Sequence, residues 1–301
     1  MKKTTVLFCF SIFMLSSIQM SYASKKETEK KTMEESTYSL DFSAAGCSFS
    51  VEVNNIPILS LDLKNGQTGS VVPLNQGIFK SGTQELSLTI NSLPGEQEKS
   101  YANASLKTKV VHDWNYKDRD KIKPILEAVL GVGAKTGTDI KGKTLPYTEK
   151  FKFQAEVPYV ENTLDSAVNL LKIAKGDATV KAYIMKIHEE ILAMIEKKEY
   201  DKLKTLSEAN LSRIAKILYL SEEDKKNRAD SLGNMFSENK FKATPIPSDA
   251  VVKYYAYGKL AQLENKNGEN AFIFKGEDGT VMHLTFFFYL PEKDQTKMRI
   301  F

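Results

Sequence analysis

The stretch GTDIKGKT, residues 137 to 144, sets Gly137 and Gly142 ahead of Lys143 and Thr144 at the spacing of a phosphate-binding loop. In such a loop the glycines turn backbone N–H groups toward a nucleotide phosphate and the lysine neutralises its charge. That chemistry needs a buried strand before the loop and a helix after it. Here the preceding GVGAKT is too rich in glycine for a core strand. The following EKFKFQAEV alternates apolar and polar residues with period two, as a strand does. The residues therefore predict a glycine-rich connection or hairpin tip, not a nucleotide site.

The three histidines are the next residues able to do chemistry. His188 opens HEEIL, but a zinc-protease helix would need a second histidine at 192, where Leu192 stands. It reads as a boundary histidine on the flank of an apolar stripe. In VVHDWNY, His112 and Asp113 would face opposite sides of a strand and form no dyad, while His112 and Trp114 share a face. His283 lies in VMHLTFFFYL, read as one strand. Met282, Leu284, Phe286, Phe288 and Leu290 form its core face, and Val281, His283, Thr285, Phe287 and Tyr289 form the other. The second face is apolar enough to be covered, yet carries polar handles. Both a ligand pocket and a protein interface look like this. Tyr255 and Tyr257, on one face of the strand VVKYYAY, extend the aromatic surface. The candidate contact surface is thus His283, Thr285, Phe287, Tyr289, Tyr255 and Tyr257. No nucleophile elbow, no Ser, His and Asp set and no spaced carboxylate pair marks out a reaction centre. No catalytic, cofactor-binding or metal-ligating residue is assigned, and no cofactor is expected.

The elements that must position these residues begin with an address. Lys2 and Lys3, the apolar run Val6 to Met20 and the small residues of Ser21-Tyr22-Ala23 have the order of a signal peptide cleaved after Ala23. The apolar run is too short for a membrane anchor. A bacterial periplasm or the medium is the expected location, and neither holds a nucleoside triphosphate pool. Cleavage leaves one cysteine of two, Cys47, which excludes an internal disulfide and thiolate zinc sites. The whole chain has 42 Lys and Arg against 38 Asp and Glu. That balance offers no electrostatic case for nucleic acid or an anionic membrane, and no later segment is long and apolar enough to span a bilayer.

Residues 24 to 37, SKKETEKKTMEEST, hold too little apolar surface to order and read as a flexible charged leader. From 38 to 159 the period is two, with Cys47, Phe49, Val51 and Val53 on one side of a strand. Turn residues at Asn65-Gly66, Ser81-Gly82 and Pro94-Gly95 separate similar strands. An antiparallel β-sandwich or partly closed barrel is expected, with one helical insertion at KPILEAVLGV. From 160 to 301 the expectation is an α+β domain. LDSAVNLLKIAKG, a long helix from Thr179 to Leu206, and helices at Ala209 to Leu220 and Glu222 to Phe236 lead into an antiparallel meander. Ser207 and Ser221 are the expected helix caps. Asn267-Gly268 and Asp278-Gly279 mark hairpins in the meander.

Two stretches carry a family resemblance. GKLAQLENKNGENAFIF and HLTFFFYLPEKDQTKMRIF resemble the last strands of the NTF2-like superfamily, and VNNIPILSLDL with PLNQGIFKSGTQELSLTI resembles a small sandwich domain of secreted bacterial proteins. The NTF2-like resemblance implies helices packed on a curved antiparallel sheet, a concave pocket and frequent dimers, and no particular reaction. The sequence therefore predicts a soluble periplasmic binding protein without catalysis, such as a toxin-immunity protein or an envelope adaptor. A protein partner or self-association is expected. The alternative is a small-ligand carrier or enzyme using the cavity of the C-terminal domain.

Overall fold

The computed structural model describes residues 35–63, 66–91, 103–114, 122–173, 176–238, 241–265, 268, 270–277, 279–283 and 285–301; for Leu232, Met235, Glu238 and His283 it describes the backbone alone. The expected signal peptide, most of the charged leader, and Asn65, Pro94-Gly95, Asn267 and Asp278 of the expected turns lie outside the described residues. The described chain is mixed α+β, with three α-helices and several antiparallel sheets, none closed. It divides into two compact units.

The first unit extends to Asn162 and takes in Lys216–Tyr219. Its strands are β1 (Tyr38–Ala45), β2 (Ser48–Val53), β3 (Ile56–Asp62), β4 (Gln67–Pro73), β5 (Gly82–Asn91), β6 (Ser105–His112), β7 (Leu126–Gly131), β8 (Thr138–Asp139) and β9 (Tyr147–Ala155). They form two sheets, ordered β4-β1-β6-β7-β8 and β3-β2-β5-β9. All pairings are antiparallel except β7 with β8. Period-two sequence decides which side is buried. β1 buries Tyr38, Leu40, Phe42 and Ala44, and β2 buries Phe49, Val51 and Val53. Phe42 and Phe49, one from each sheet, meet edge-on at 5.5 Å between centroids, so both apolar faces share one core. Each fully buried Phe or Leu contributes about 1.5–3 kcal/mol to it. Ile217 belongs to this core, and the Tyr219 hydroxyl donates to the Ser36 carbonyl at 3.2 Å.

The helix expected at KPILEAVLGV is not formed. Leu126–Gly131 is strand β7, in register with β6 from Ser105 opposite Gly131 to Val110 opposite Leu126. The apolar residues of this run fit both periods. Ala128 and Leu130 reach the core from a strand, and the hydrogen-bonding edge of β6 outweighs the helix preference of Leu, Glu and Ala.

The second unit is Thr163–Ala215 with Leu220–Phe301. It holds α1 (Asp177–Glu196), α2 (Tyr200–Ile217, the last two residues counting with the first unit) and α3 (Glu222–Glu238). Its strands are β10 (Lys242–Ala243), β11 (Val251–Tyr255), β12 (Leu260–Glu264), β13 (Ile273–Lys275), β14 (Val281–His283), β15 (Phe288–Tyr289) and β16 (Arg299–Ile300). They pair as β10-β13-β14 and β11-β12-β15-β16. The sequence sets Val180, Tyr183, Ile184, Ile187, Ile191, Met194 and Ile195 on one stripe of α1; Val180, Ile184, Ile187 and Ile191 are buried and the other three half-buried, in one cluster with Ala261, Leu263, Phe272 and Phe288 among others. Tyr254 fixes the start of the helix by donating its hydroxyl to Asp177 Oδ1 at 2.6 Å.

Helix boundaries depart from expectation in three places. The long helix breaks at Lys197 to Glu199, where Lys198 turns left-handed at φ 57 and the Glu199 N–H closes on the Met194 carbonyl. Ser207 is no cap but a buried interior residue of α2. LDSAVNLLKIAKG keeps only a 3-10 turn at Leu170–Lys172, because Ala167 bridges Pro291 and the Val168 N–H donates to the Leu290 carbonyl. At Ser221 the capping box forms as expected: its hydroxyl accepts from the Asp224 N–H at 3.1 Å, and Asp224 Oδ2 accepts from the Ser221 N–H at 3.2 Å.

VMHLTFFFYL is likewise not one strand. β14 pairs with β13, whereas β15 pairs with β12 and β16, so the run passes from one sheet to the other between His283 and Phe288. Phe286, Phe288 and Leu290 remain buried through the crossing.

Candidate functional site

The phosphate-loop pattern has a structural role. Gly137 sits at φ +84, and a Cβ there would lie 2.4 Å from the Val129 carbonyl oxygen, so only glycine lets the chain lie flat on β7. Asp139 Oδ1 accepts from the N–H groups of Gly133 at 2.8 Å and Lys141 at 2.9 Å. These bonds hold its carboxyl below the usual range. The backbone donors that a phosphate would need serve this carboxylate instead. After Lys143 comes strand β9, and the Lys143 ammonium lies 5.6 Å from the Tyr147 ring centre.

The candidate contact residues other than His283, which belongs to the sheet β10-β13-β14, lie on or beside the sheet β11-β12-β15-β16. Ala261, Leu263, Phe288 and Ile300 point into the core under α1. Alternation places Tyr255, Leu260, Gln262, Glu264, Phe287, Tyr289, Arg299 and Phe301 on the opposite face. β12 is therefore buried on both sides, at all five of its residues. Two of these are polar, and they meet a third strand residue. Tyr255 donates its hydroxyl to Glu264 Oε1 at 2.6 Å, Gln262 Nε2 donates to the same oxygen at 2.8 Å, and Asn270 Oδ1 accepts from the Phe272 N–H at 2.7 Å. A carboxylate with 9 % exposure is costly to desolvate, and the two donors offset that cost. The Tyr255 ring meets Phe287 edge to face at 5.3 Å. Farther along the face, Tyr289 meets Phe301 at 6.4 Å, and the Arg213 guanidinium of α2 lies 3.9 Å from the Phe301 ring centre. Asn210 of α2 also donates to the Phe301 carbonyl.

Tyr289 and Arg299 stand opposite each other in the β15–β16 pair and line an open cleft of about 320 Å³ with Thr163, Ser166, Glu292, Lys293 and Asp294. Arg299 Nη2 lies 3.6 Å from Asp294 Oδ2. Hydrogen bonds from Thr296 and the Arg299 charge lower the Asp294 pKa. The rim thus carries both signs of charge around one aromatic wall.

Tyr257 is not on the face of Tyr255. β11 ends at Tyr255, and Ala256, Tyr257 and Gly258 are all left-handed, at φ 49, 55 and 92. The turn swings the Tyr257 ring out to 61 % exposure, while Tyr255 is 6 % exposed. Asn169 anchors this turn. Its Nδ2 donates to the Tyr257 carbonyl at 3.3 Å, and its Oδ1 accepts from the Leu171 N–H at 3.1 Å. A Cβ on Gly258 would come within 2.7 Å of both Asn169 and Leu171. Leu171 is itself 60 % exposed, so two large apolar side chains are displayed at adjoining positions. Thr285 and Phe287 are half-buried. His283 is placed opposite Ile273, and its side chain lies outside the described residues.

Three other sequence readings change. His112 Nε2 comes within 3.7 Å of Asp113 Oδ2, because β6 ends at His112 and Asp113 turns left-handed at φ 51, which cancels the alternation. The His112 ring lies against Tyr38 at 4.9 Å between centroids, an aromatic neighbour the sequence does not indicate. His188 is no boundary residue. It is 3 % exposed, its ring meets Phe272 at 3.9 Å, and neither ring nitrogen has a hydrogen-bond partner among the described residues. Burial lowers its pKa to about 4. Burial likewise pushes the Cys47 thiol up to about 11, which removes it as a nucleophile at neutral pH.

Gln262, Glu264, Asn270, Arg213 and Arg299 were not legible as site residues. The sequence marks KLAQLEN as a strand but does not show that its polar alternates are covered. Among the described residues no three His, Cys, Asp or Glu side chains converge as a metal site would require. No described helix is long and apolar enough to cross a membrane. Comparison with known proteins gives no relative: no family model matches, no curated protein is similar and no solved structure matches the fold.

Proposed function

We propose that the chain is an exported interaction protein that acts by contact with a protein partner, and that the turn at Ala256, Tyr257 and Gly258 is the centre of its contact surface. The observation behind this reading is Tyr257. A non-glycine residue in the left-handed region costs about 1–2 kcal/mol, and here that cost holds a tyrosine ring 61 % exposed. Such strain persists where surrounding groups enforce it and tends to gather at functional positions. Asn169 and the close approach of Gly258 to Leu171 are the enforcing groups. Tyrosine suits the role because only two torsions must be fixed to present a large amphipathic surface. Leu171 adds apolar area beside it.

The order of residues 1 to 23 supports export to the periplasm or medium, where a toxin-immunity protein or an envelope adaptor would act. Helices followed by antiparallel strands support an NTF2-like arrangement for residues 160 to 301, and the shared core of two sheets supports a β-sandwich at 38 to 159. Incorporation of a photo-crosslinking residue at position 257 tests the reading. One stoichiometric adduct with a second protein supports it, and absence of any adduct specific to that position rejects it.

A second reading rests on the cleft. Tyr289, Arg299 and Asp294 could hold a small zwitterionic or anionic ligand in about 320 Å³, the lower end of the range for ligand sites. Native mass spectrometry of the purified protein separates the two readings: a retained small molecule lost in Arg299→Gln favours the cleft.

A further inference from the structure

His188 stands on the buried stripe of α1, one residue past Ile187 and three before Ile191, with its ring edge-on to Phe272. It is 3 % exposed, and both ring nitrogens lack a hydrogen-bond partner among the described residues. A buried polar group without a partner is uncommon and calls for an explanation. A neutral imidazole tolerates this site as an aromatic ring would. An imidazolium does not, because both N–H groups would then be stranded in an apolar core.

The surroundings offer no compensation. The core of this unit is built from apolar side chains, among them Ile184, Ile187 and Ile191 on α1, Leu203 on α2, Phe236 on α3 and Phe272, the ring that meets His188. On α1 itself Glu189 is exposed and Glu190 half-buried. On the strands beneath, Lys253 of β11 is exposed, Glu264 of β12 lies on the opposite face, and the titratable residue of β14 is His283, opposite Ile273. No charge among the described residues acts on His188, and burial alone lowers its pKa from 6.5 to about 4.

We infer that α1 is an acid-releasable cover: proton uptake by His188 detaches the helix from the strands of its own unit and uncovers the apolar side chains around Phe272. Among the described residues the two-sheet unit has one histidine, His112, and it is exposed, so the release is confined to the unit that holds α1. The sign follows from linkage. The detached form takes up the proton at the ordinary histidine pKa and the packed form only near 4, so the packed form is favoured above pH 6.5 and progressively loses ground as the pH falls to about 4. The full bias is about 300-fold, the ratio of the two proton affinities.

Hydrogen exchange of the full chain at pH 7 and pH 4.5, corrected for intrinsic exchange, tests this. Amides of Ile184 to Ile191 are expected to lose protection by ten-fold or more at pH 4.5, relative to amides of β1 and β6, and to keep it in His188→Phe. Equal protection at both pH values in the wild type overturns the inference, as does the same loss in His188→Phe. Should that variant fail to fold, the His188 ring resonances of the wild type decide. A midpoint near 4 coinciding with loss of α1 protection supports the inference, and a midpoint near 6.5 with protection intact contradicts it.

Discussion

Tyr255 donates its hydroxyl to Glu264 at 2.6 Å with both side chains buried, on the face of β12 that looks away from the helix-covered core. The pair explains why a strand with two polar residues can be buried on both faces. Removing one partner strands the other. Tyr255→Phe leaves Glu264 with the Gln262 donor alone, and Glu264→Ala leaves the Tyr255 hydroxyl without this acceptor.

Each of these substitutions is expected to destabilise the unit by about 1–3 kcal/mol, the cost of a buried hydrogen-bonding group left unsatisfied. Glu264→Gln, which retains an acceptor oxygen, should cost less than Glu264→Ala. Tyr255→Phe combined with Glu264→Gln should show a coupling of about 0.5–3 kcal/mol in urea denaturation. Strict additivity would mean that the two side chains do not act as a pair.

Gly137 and Lys143 should separate cleanly. Gly137→Ala drives a Cβ into the Val129 backbone and strains a left-handed residue, so a loss of about 2–4 kcal/mol is expected in thermal or urea unfolding. Lys143→Ala should change stability by under about 0.5 kcal/mol. The nucleotide-loop reading predicts the reverse importance, with Lys143→Ala abolishing ATP binding in a calorimeter.

The pH dependence of stability has a defined direction. His188 in the unfolded chain titrates at the ordinary 6.5, and in the folded unit near 4. Its contribution is complete above pH 6.5 and is lost as the pH falls toward 4, by roughly 3 kcal/mol in total. Urea titrations at pH 7 and 4.5 should show this fall in the wild type and a shallower one in His188→Phe. Parallel falls in the two proteins would assign the acid sensitivity to carboxylates instead.

Much of the scaffold was legible because apolar residues recur with one clear period. The α1 stripe Val180, Ile184, Ile187 and Ile191, and the strand pattern Phe49, Val51 and Val53, each fit only one geometry. The failures cluster where period alone does not decide. Leu126, Ala128 and Leu130 suit a strand as well as a helix, and the edge of β6 made the choice. At Asp113 one left-handed residue, and at Tyr257 a run of three from Ala256 to Gly258, cancels the face that alternation assigns. Tyr255 and Phe287 both stand out in the sequence as aromatic candidates, though not as a pair, and Gln262 and Glu264 do not stand out at all. Their polarity suggests water, and only the second covered face of β12 reveals them as buried.

The display turn makes the fourth expectation. Tyr257→Gly deletes the ring and keeps the left-handed backbone, which glycine adopts without strain. Stability should stay within about 1 kcal/mol of the wild type, since relief of strain and greater freedom of the unfolded chain oppose each other. A large loss would instead make Tyr257 a packing residue.

The most direct test is photo-crosslinking in cells that produce the protein, with the reactive residue at 257 and, as control, at Lys107, an exposed position of β6. The account predicts one stoichiometric adduct with a second protein from position 257 and none from 107. No adduct from 257, or the same adducts from both positions, would contradict it.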